Sequence, residues 1–166
     1  MRIIAEIVID KPAAAVWKVV GDQFADAYLW ASALRHSEGH GRKINNQVSD
    51  SRTCEVQGLG RTNEKLLDFD PDKFALSYEV TEGFPFFVAS GVNRWRLIPE
   101  GNRTRVRTEG EIVTRGVVGL AMGPMMKMQM AGLMRRMLED LKHYLETGLP
   151  HPRKQRTSTS AAPARA

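Results

Sequence analysis

The 166-residue chain holds a single cysteine, Cys54. One thiol excludes an internal disulfide framework and a cysteine-rich zinc site. Cys54 falls in a strand-like stretch with no His or acid at a catalytic spacing, so it reads as a small apolar packing residue. An uninterrupted apolar run is missing as well. A membrane-crossing helix needs about 20 mainly apolar residues. The most apolar helical stretch is broken by Lys127, Gln129, Arg135 and Arg136 and carries Gly123-Pro124 near its start. The opening MRIIAEIVIDKP lacks a basic n-region, a long h-region and a small-residue cleavage site. A cytoplasmic location is the expectation.

Motifs for bound cofactors are also lacking. The chain contains no phosphate-binding loop, dinucleotide fingerprint, HExxH helix or nucleophile elbow, and its GLG at 58–60 is a turn. His36 and His40 share a strand face without nearby acids or cysteines, which describes solvated histidines better than metal ligands. Neither a metal nor a cofactor is expected.

The net charge of +5 is unevenly placed. Arg153, Lys154, Arg156 and Arg165 lie in the acid-free end HPRKQRTSTSAAPARA, leaving 20 basic and 19 acidic residues in 1–150. Residues 149–166 therefore read as a basic, disordered tail, able at most to make weak peripheral contact with an anionic membrane surface. Arg94, Arg96, Arg105 and Arg107 form a basic stripe, but Glu109 and Glu111 share its face and no aromatics interleave. No nucleic-acid partner is expected.

The patterning is clearer. RIIAEIVID (2–10) reads as a strand, and PAAAVWKVVG as a short helix with Ala13, Val16, Trp17 and Val20 on one stripe and Gly21 as its stop. A second short helix or turn covers DQFADAYLW. From 32 to 115 six strand-like segments follow, separated by GHGRKINN, GLG, DPDK, EGFP and PEGN, and predict an antiparallel meander. Thr104, Val106, Thr108, Gly110 and Ile112 alternate with Arg105, Arg107, Glu109 and Glu111, so one sheet face is buried and the other wet. After Gly116 the period becomes helical to about Glu146, with Met126, Met130, Leu133, Met137, Leu141, Tyr144 and Leu145 on one face and Gly148 and Pro150 ending it.

In order, IDKPAAAVWKVVGDQF, SRTCEVQGLGRTNEKLLDFDPDKFALSYEV and GVNRWRLIPEGNRTRV resemble the START/Bet v 1-like superfamily, closest to its polyketide cyclase/dehydrase and lipid-transport-like (SRPBCC) branch. The resemblance spans about residues 2–147. It departs at QVSDSRT, where the family often has a glycine shortly before the arginine. It implies an α+β helix-grip fold: a curved antiparallel seven-stranded sheet wrapped around a long C-terminal helix, with two short helices after the first strand. It also implies one ligand-binding domain over residues 1–148, with an apolar cavity between sheet and helix.

Seven of the eight methionines fall between Met122 and Met137. Methionine adapts to ligands of varied shape, and it also fills loose cores. Met122, Met125, Met126, Met130 and Met134 lie where such a cavity opens and are candidate cavity residues, Met122, Met126 and Met130 foremost, on the first reading and core filling on the second. Glu64 is in register with Thr62 and Leu66 and is expected to face inward, paired with an arginine such as Arg52; the alternative is that Asn63, Lys65 and Leu67 form the inner set. Tyr78, Asn93, Trp95 and Trp30 are candidate polar or amphipathic wall residues, with ordinary packing as the alternative. The expected function is binding or carrying a hydrophobic small molecule, such as a lipid, isoprenoid or polyketide-like compound, by a monomer or homodimer. One rival is a polyketide cyclase or dehydratase using Glu64, perhaps with Tyr78, as catalytic acid/base. Another is a regulatory or membrane-peripheral module using the Met-rich helix.

Overall fold

A computed structural model describes residues 1–154 of the chain. Seven strands follow the expected segments: β1 (Arg2–Ile9), β2 (Leu34–Ile44), β3 (Val48–Val56), β4 (Gly60–Asp70), β5 (Ala75–Glu82), β6 (Val88–Glu100) and β7 (Arg103–Thr114). They form one antiparallel sheet in the order β1-β7-β6-β5-β4-β3-β2. Short turns let consecutive strands pair, and β1 closes the far edge by pairing with β7. The β2–β3 turn places Asn45 and Asn46 at positive φ, which asparagine tolerates better than most residues. Register shifts interrupt the β2–β3, β4–β5 and β6–β7 ladders. Such bulges bend strands and increase twist, which curls the sheet.

Alternation decides which face closes. Thr104, Val106, Thr108, Gly110 and Ile112 are all buried. On the convex side Arg94 pairs with Glu111, Arg2 with Glu109, and Arg107 with Glu6. The basic stripe is thus a mixed-charge solvated face.

Between β1 and β2 the chain forms helix α1 (Ala13–Trp17), a π-helical turn (Lys18–Asp22) and a 3-10 helix (Phe24–Leu29). Val16, Trp17, Val20 and Phe24 enter the main core with Ile9, Leu97 and Val106. Trp17 packs on Phe69, with ring centroids 5.2 Å apart. Gly21 does more than stop a helix. A Cβ there would stand 2.4 Å from the Trp17 indole, so the turn can close over the ring only with glycine.

The long helix α2 (Gly116–Thr147) lies in the concavity and ends at Gly148, in the left-handed conformation, with its N–H bonded to Tyr144 O. Its buried line differs from the expected one. Met134, Leu138, Asp140 and Leu141 are the buried large side chains, whereas Met130, Leu133 and Met137 are only partly covered. The last three border empty space, as described below. Asp140 is fully buried among apolar neighbours yet well supplied: Ser32 N donates to it at 2.8 Å and Arg153 Nε lies 2.7 Å away.

That contact alters the expected tail. Residues 151–154 return to the body: Arg153 also pairs with Glu139, and Lys154 donates to Leu34 O. A disordered tail starting at 149 is therefore corrected for these four residues, because buried Asp140 demands a cation that the helix itself does not supply. The remainder, 155–166, lies outside the described residues.

Gly21→Ala is expected to destabilise the fold by about 1–3 kcal/mol, the usual cost of forcing a methyl group into a packed site. Urea unfolding with an unchanged m-value would read this directly.

Candidate ligand-binding cavity

Two glycines shape the cavity wall by letting other side chains settle against the sheet. Gly91 on β6 and Gly110 on β7 both border the cavity. A Cβ at Gly91 would meet the Phe84 ring at 2.4 Å. One at Gly110 would meet Met134 Sδ at 3.2 Å and Asn93 Oδ1 at 3.3 Å. The space left between sheet and helix is a cavity of about 80 Å³, roofed by Met130, Leu133, Met134 and Met137. A second cavity of about 20 Å³ lies toward the 3-10 helix, bordered by Val20, Phe24 and Trp30. Arg52, Tyr78, Trp95 and Met137 line both and form the partition between them.

The sequence candidates divide accordingly. Glu64, Tyr78, Asn93, Trp95 and Met130 line the larger cavity, and Trp30 lines the smaller one. Met126 packs instead with a satellite cluster of Ile3, Val88, Ile112 and Met134. Met122 lines neither cavity. Sequence reasoning missed Gly91, Gly110 and Phe84 as shaping residues. The one signal available was a glycine inside each of two otherwise regular strands, which marks close approach.

One buried polar group organises the wall. Arg52 and Glu64 are direct cross-strand partners on β3 and β4. Arg52 Nε donates to Glu64 Oε2 at 2.7 Å and NH2 lies 2.6 Å from the same oxygen, with both side chains at or below 10 % exposure. NH1 donates to the Phe24 carbonyl, tying the 3-10 helix to the sheet. The guanidinium carbon stands 4.0 Å from the Phe24 ring centroid and 5.2 Å from that of Tyr78. Burial is the largest single influence and works against the charged guanidinium, but the Glu64 carboxylate, the strongest opposing one, together with the other surrounding groups outweighs it and keeps Arg52 protonated.

The neighbours stay neutral. Burial, reinforced by Glu64, pushes the Tyr78 phenol well above its ordinary range. Burial likewise pushes the Cys54 thiol up to about 12, so it is a packing group and not a nucleophile at neutral pH. Among the described residues Thr62 Oγ1 is buried without a hydrogen-bond partner, and Thr62 belongs to the cavity wall. His36 and His40 are exposed, and the described residues contain no cluster of three or more His, Cys, Asp or Glu able to hold a metal.

Comparison with known proteins agrees with this architecture. The family model described as polyketide cyclase / dehydrase and lipid transport matches residues 2–146. No curated protein sequence matches. Among solved structures, a START superfamily protein from Mycobacterium smegmatis superposes with a TM-score of 0.73 at 14% identity, covering 87% of this chain and 97% of that one. Norcoclaurine synthase from Thalictrum flavum gives 0.71 at 14% identity, covering 89% and 94%. The di-domain ARO/CYC protein BexL of the BE-7585A biosynthetic pathway gives 0.71 at 18% identity, covering 88% of this chain and 46% of that one. At these identities the likeness is one of fold.

Removing one partner of the buried pair leaves an uncompensated charge. Glu64→Ala is expected to cost about 3–5 kcal/mol, while the apolar double variant Arg52→Met/Glu64→Leu recovers most of it. Chemical denaturation of the three proteins measures both values, and equal losses in single and double variants would refute the account.

Proposed function

The chain belongs to the polyketide cyclase/dehydrase and lipid-transport family, and from that premise we propose that it binds or carries a hydrophobic small molecule with a neutral polar end. The observation that carries this reading is the closed Arg52–Glu64 pair in an otherwise apolar wall. Arg52 and Glu64 are the charged side chains bordering the cavity, and each neutralises the other. An ionised ligand would lose its hydration there without gaining a counter-charge, at a cost of several kcal/mol in practice. A hydroxyl or carbonyl group could instead bond to Thr62 Oγ1 and the Asn93 amide. Each buried ligand methylene would add roughly 0.8 kcal/mol.

Size shapes the proposal further. Cavities for drug-sized ligands run to about 300–1,000 Å³, and this one is about 80 Å³ before a ligand enters. Binding must therefore displace side chains. Three of the four roof residues are Met130, Met134 and Met137, the last also part of the partition, and their unbranched side chains change rotamer readily. Movement of Met137 would join the two cavities and bring Trp30 into contact with the ligand.

The catalytic alternative asks for a free acid or base. Glu64 is held by Arg52, and Tyr78 stays protonated and so is not a base at neutral pH. Both facts support a binder over a cyclase or dehydratase.

The first measurement is mass spectrometry of small molecules extracted from the native protein and from a folded Met130→Glu variant. A neutral apolar compound held by the native protein and lost from the variant supports the reading. In a companion titration at pH 8, decanol is expected to displace a bound apolar dye at least about tenfold more strongly than decanoate, a difference of about 1.4 kcal/mol. Equal displacement overturns the neutral-ligand reading. Failure of the protein to hold any apolar compound or dye overturns binding itself.

A further inference from the structure

The first half of α2 is apolar on both sides. Its inner side holds the methionines that roof the cavity and pack the satellite cluster. Its outer side should then be polar, as on an ordinary surface helix. It is not. Val117, Ala121, Pro124 and Met128 recur at four- and three-residue steps along one exposed stripe, with Leu120 beside them. Val117 is 84% exposed, Leu120 80% and Met128 71%.

A loop extends this stripe. Arg115, just before the helix, donates through Nε to Phe86 O at 2.7 Å and through its backbone N–H to Phe87 O. The backbone of Phe86 is thereby tied to the start of α2, and Phe86 itself is 73% exposed. Phe87 packs into the satellite cluster with Phe84 and Met130, and the last two also line the cavity. A continuous apolar path leads from the exposed surface to the interior.

The charges indicate what covers this surface. Residues 115–137 contain Arg115, Lys127, Arg135 and Arg136 and no acidic residue, and the loop 83–87 is uncharged. Pairing of this face with its own copy would bring like charges together. An anionic sheet of lipid headgroups meets the cations while the acyl boundary accepts Phe86, Val117, Leu120 and Met128. No helix of the described residues is long and apolar enough to cross a membrane, so the contact is one of lying on the surface.

We infer that the N-terminal half of α2 and the Phe86 loop dock on an anionic lipid surface. The docking goes beyond ligand binding and is measurable without any ligand. The full chain is mixed with phosphatidylcholine vesicles, with or without phosphatidylserine, and bound protein is separated by flotation. Binding is expected to the anionic vesicles and to fall as salt screens the headgroups. Leu120→Glu and Phe86→Ser, both at exposed positions, are expected to weaken it by about tenfold or more while circular dichroism stays unchanged.

Three results would overturn the inference. One is unaltered binding by Leu120→Glu. Another is loss of binding in Arg156→Ser/Arg165→Ser with Leu120→Glu unaffected, which would assign the contact to the tail. The third is absence of vesicle binding, which, with a dimer that Leu120→Glu dissociates, would assign the face to a second copy.

Discussion

The buried Arg52–Glu64 pair is the constraint on which the interior depends. Arg52 and Glu64 stand opposite each other on β3 and β4, so the pair pins strand register. The same guanidinium reaches the Phe24 carbonyl and lies against the Phe24 and Tyr78 rings. One cation thus joins the sheet, the 3-10 helix and the aromatic partition between the two cavities. Such a pair is not a source of net stability over an apolar substitute. Its effect is to specify: the wall must carry one charge of each sign, and neither is left over.

Gly91 and Gly110 let Phe84 and Met134 pack closely on the cavity wall, and methionine gives the cavity its pliability. The methionine-rich segment is divided by depth. Met134 is buried, Met130 and Met137 border the cavity, and Met128 stands in solvent. One residue type meets three demands because its side chain is apolar, flexible and a good helix former. Helix formation here has little local help, since Gly116, Gly119, Gly123 and Pro124 fall in the first two or so turns. Packing holds this end in place: Gly119 approaches Thr114 and the Phe87 carbonyl so closely that a Cβ would contact them. A helix end held mainly by packing is suited to give way when a ligand or a lipid surface offers other contacts.

At the other end of α2 the requirement is electrostatic. Asp140 sits fully buried, bonded by Ser32 N and faced by Arg153. Composition alone assigns Arg153 and Lys154 to a solvated tail. The docking of Arg153 follows from a carboxylate in the last two turns of α2.

The sequence by itself determined the elements and their faces. Two-residue alternation set the inner row Thr104 to Ile112, turn residues set the strand boundaries, and a change of period at Gly116 set the long helix. The inward face of Glu64 was also legible, because Thr62 and Leu66 flank it at the same parity, while its pairing with Arg52 was decided by the alignment of β3 with β4. Elements and faces are local properties, carried by backbone geometry over a few residues. Only the tertiary structure decided which methionines face empty space, that two glycines let Phe84 and Met134 pack on the cavity wall, that Trp30 is divided from it by Tyr78 and Trp95, and that Arg153 returns to pair with buried Asp140. Each depends on the distance between α2 and the sheet, which arises from packing between residues far apart in the chain, and no periodicity within one segment encodes it.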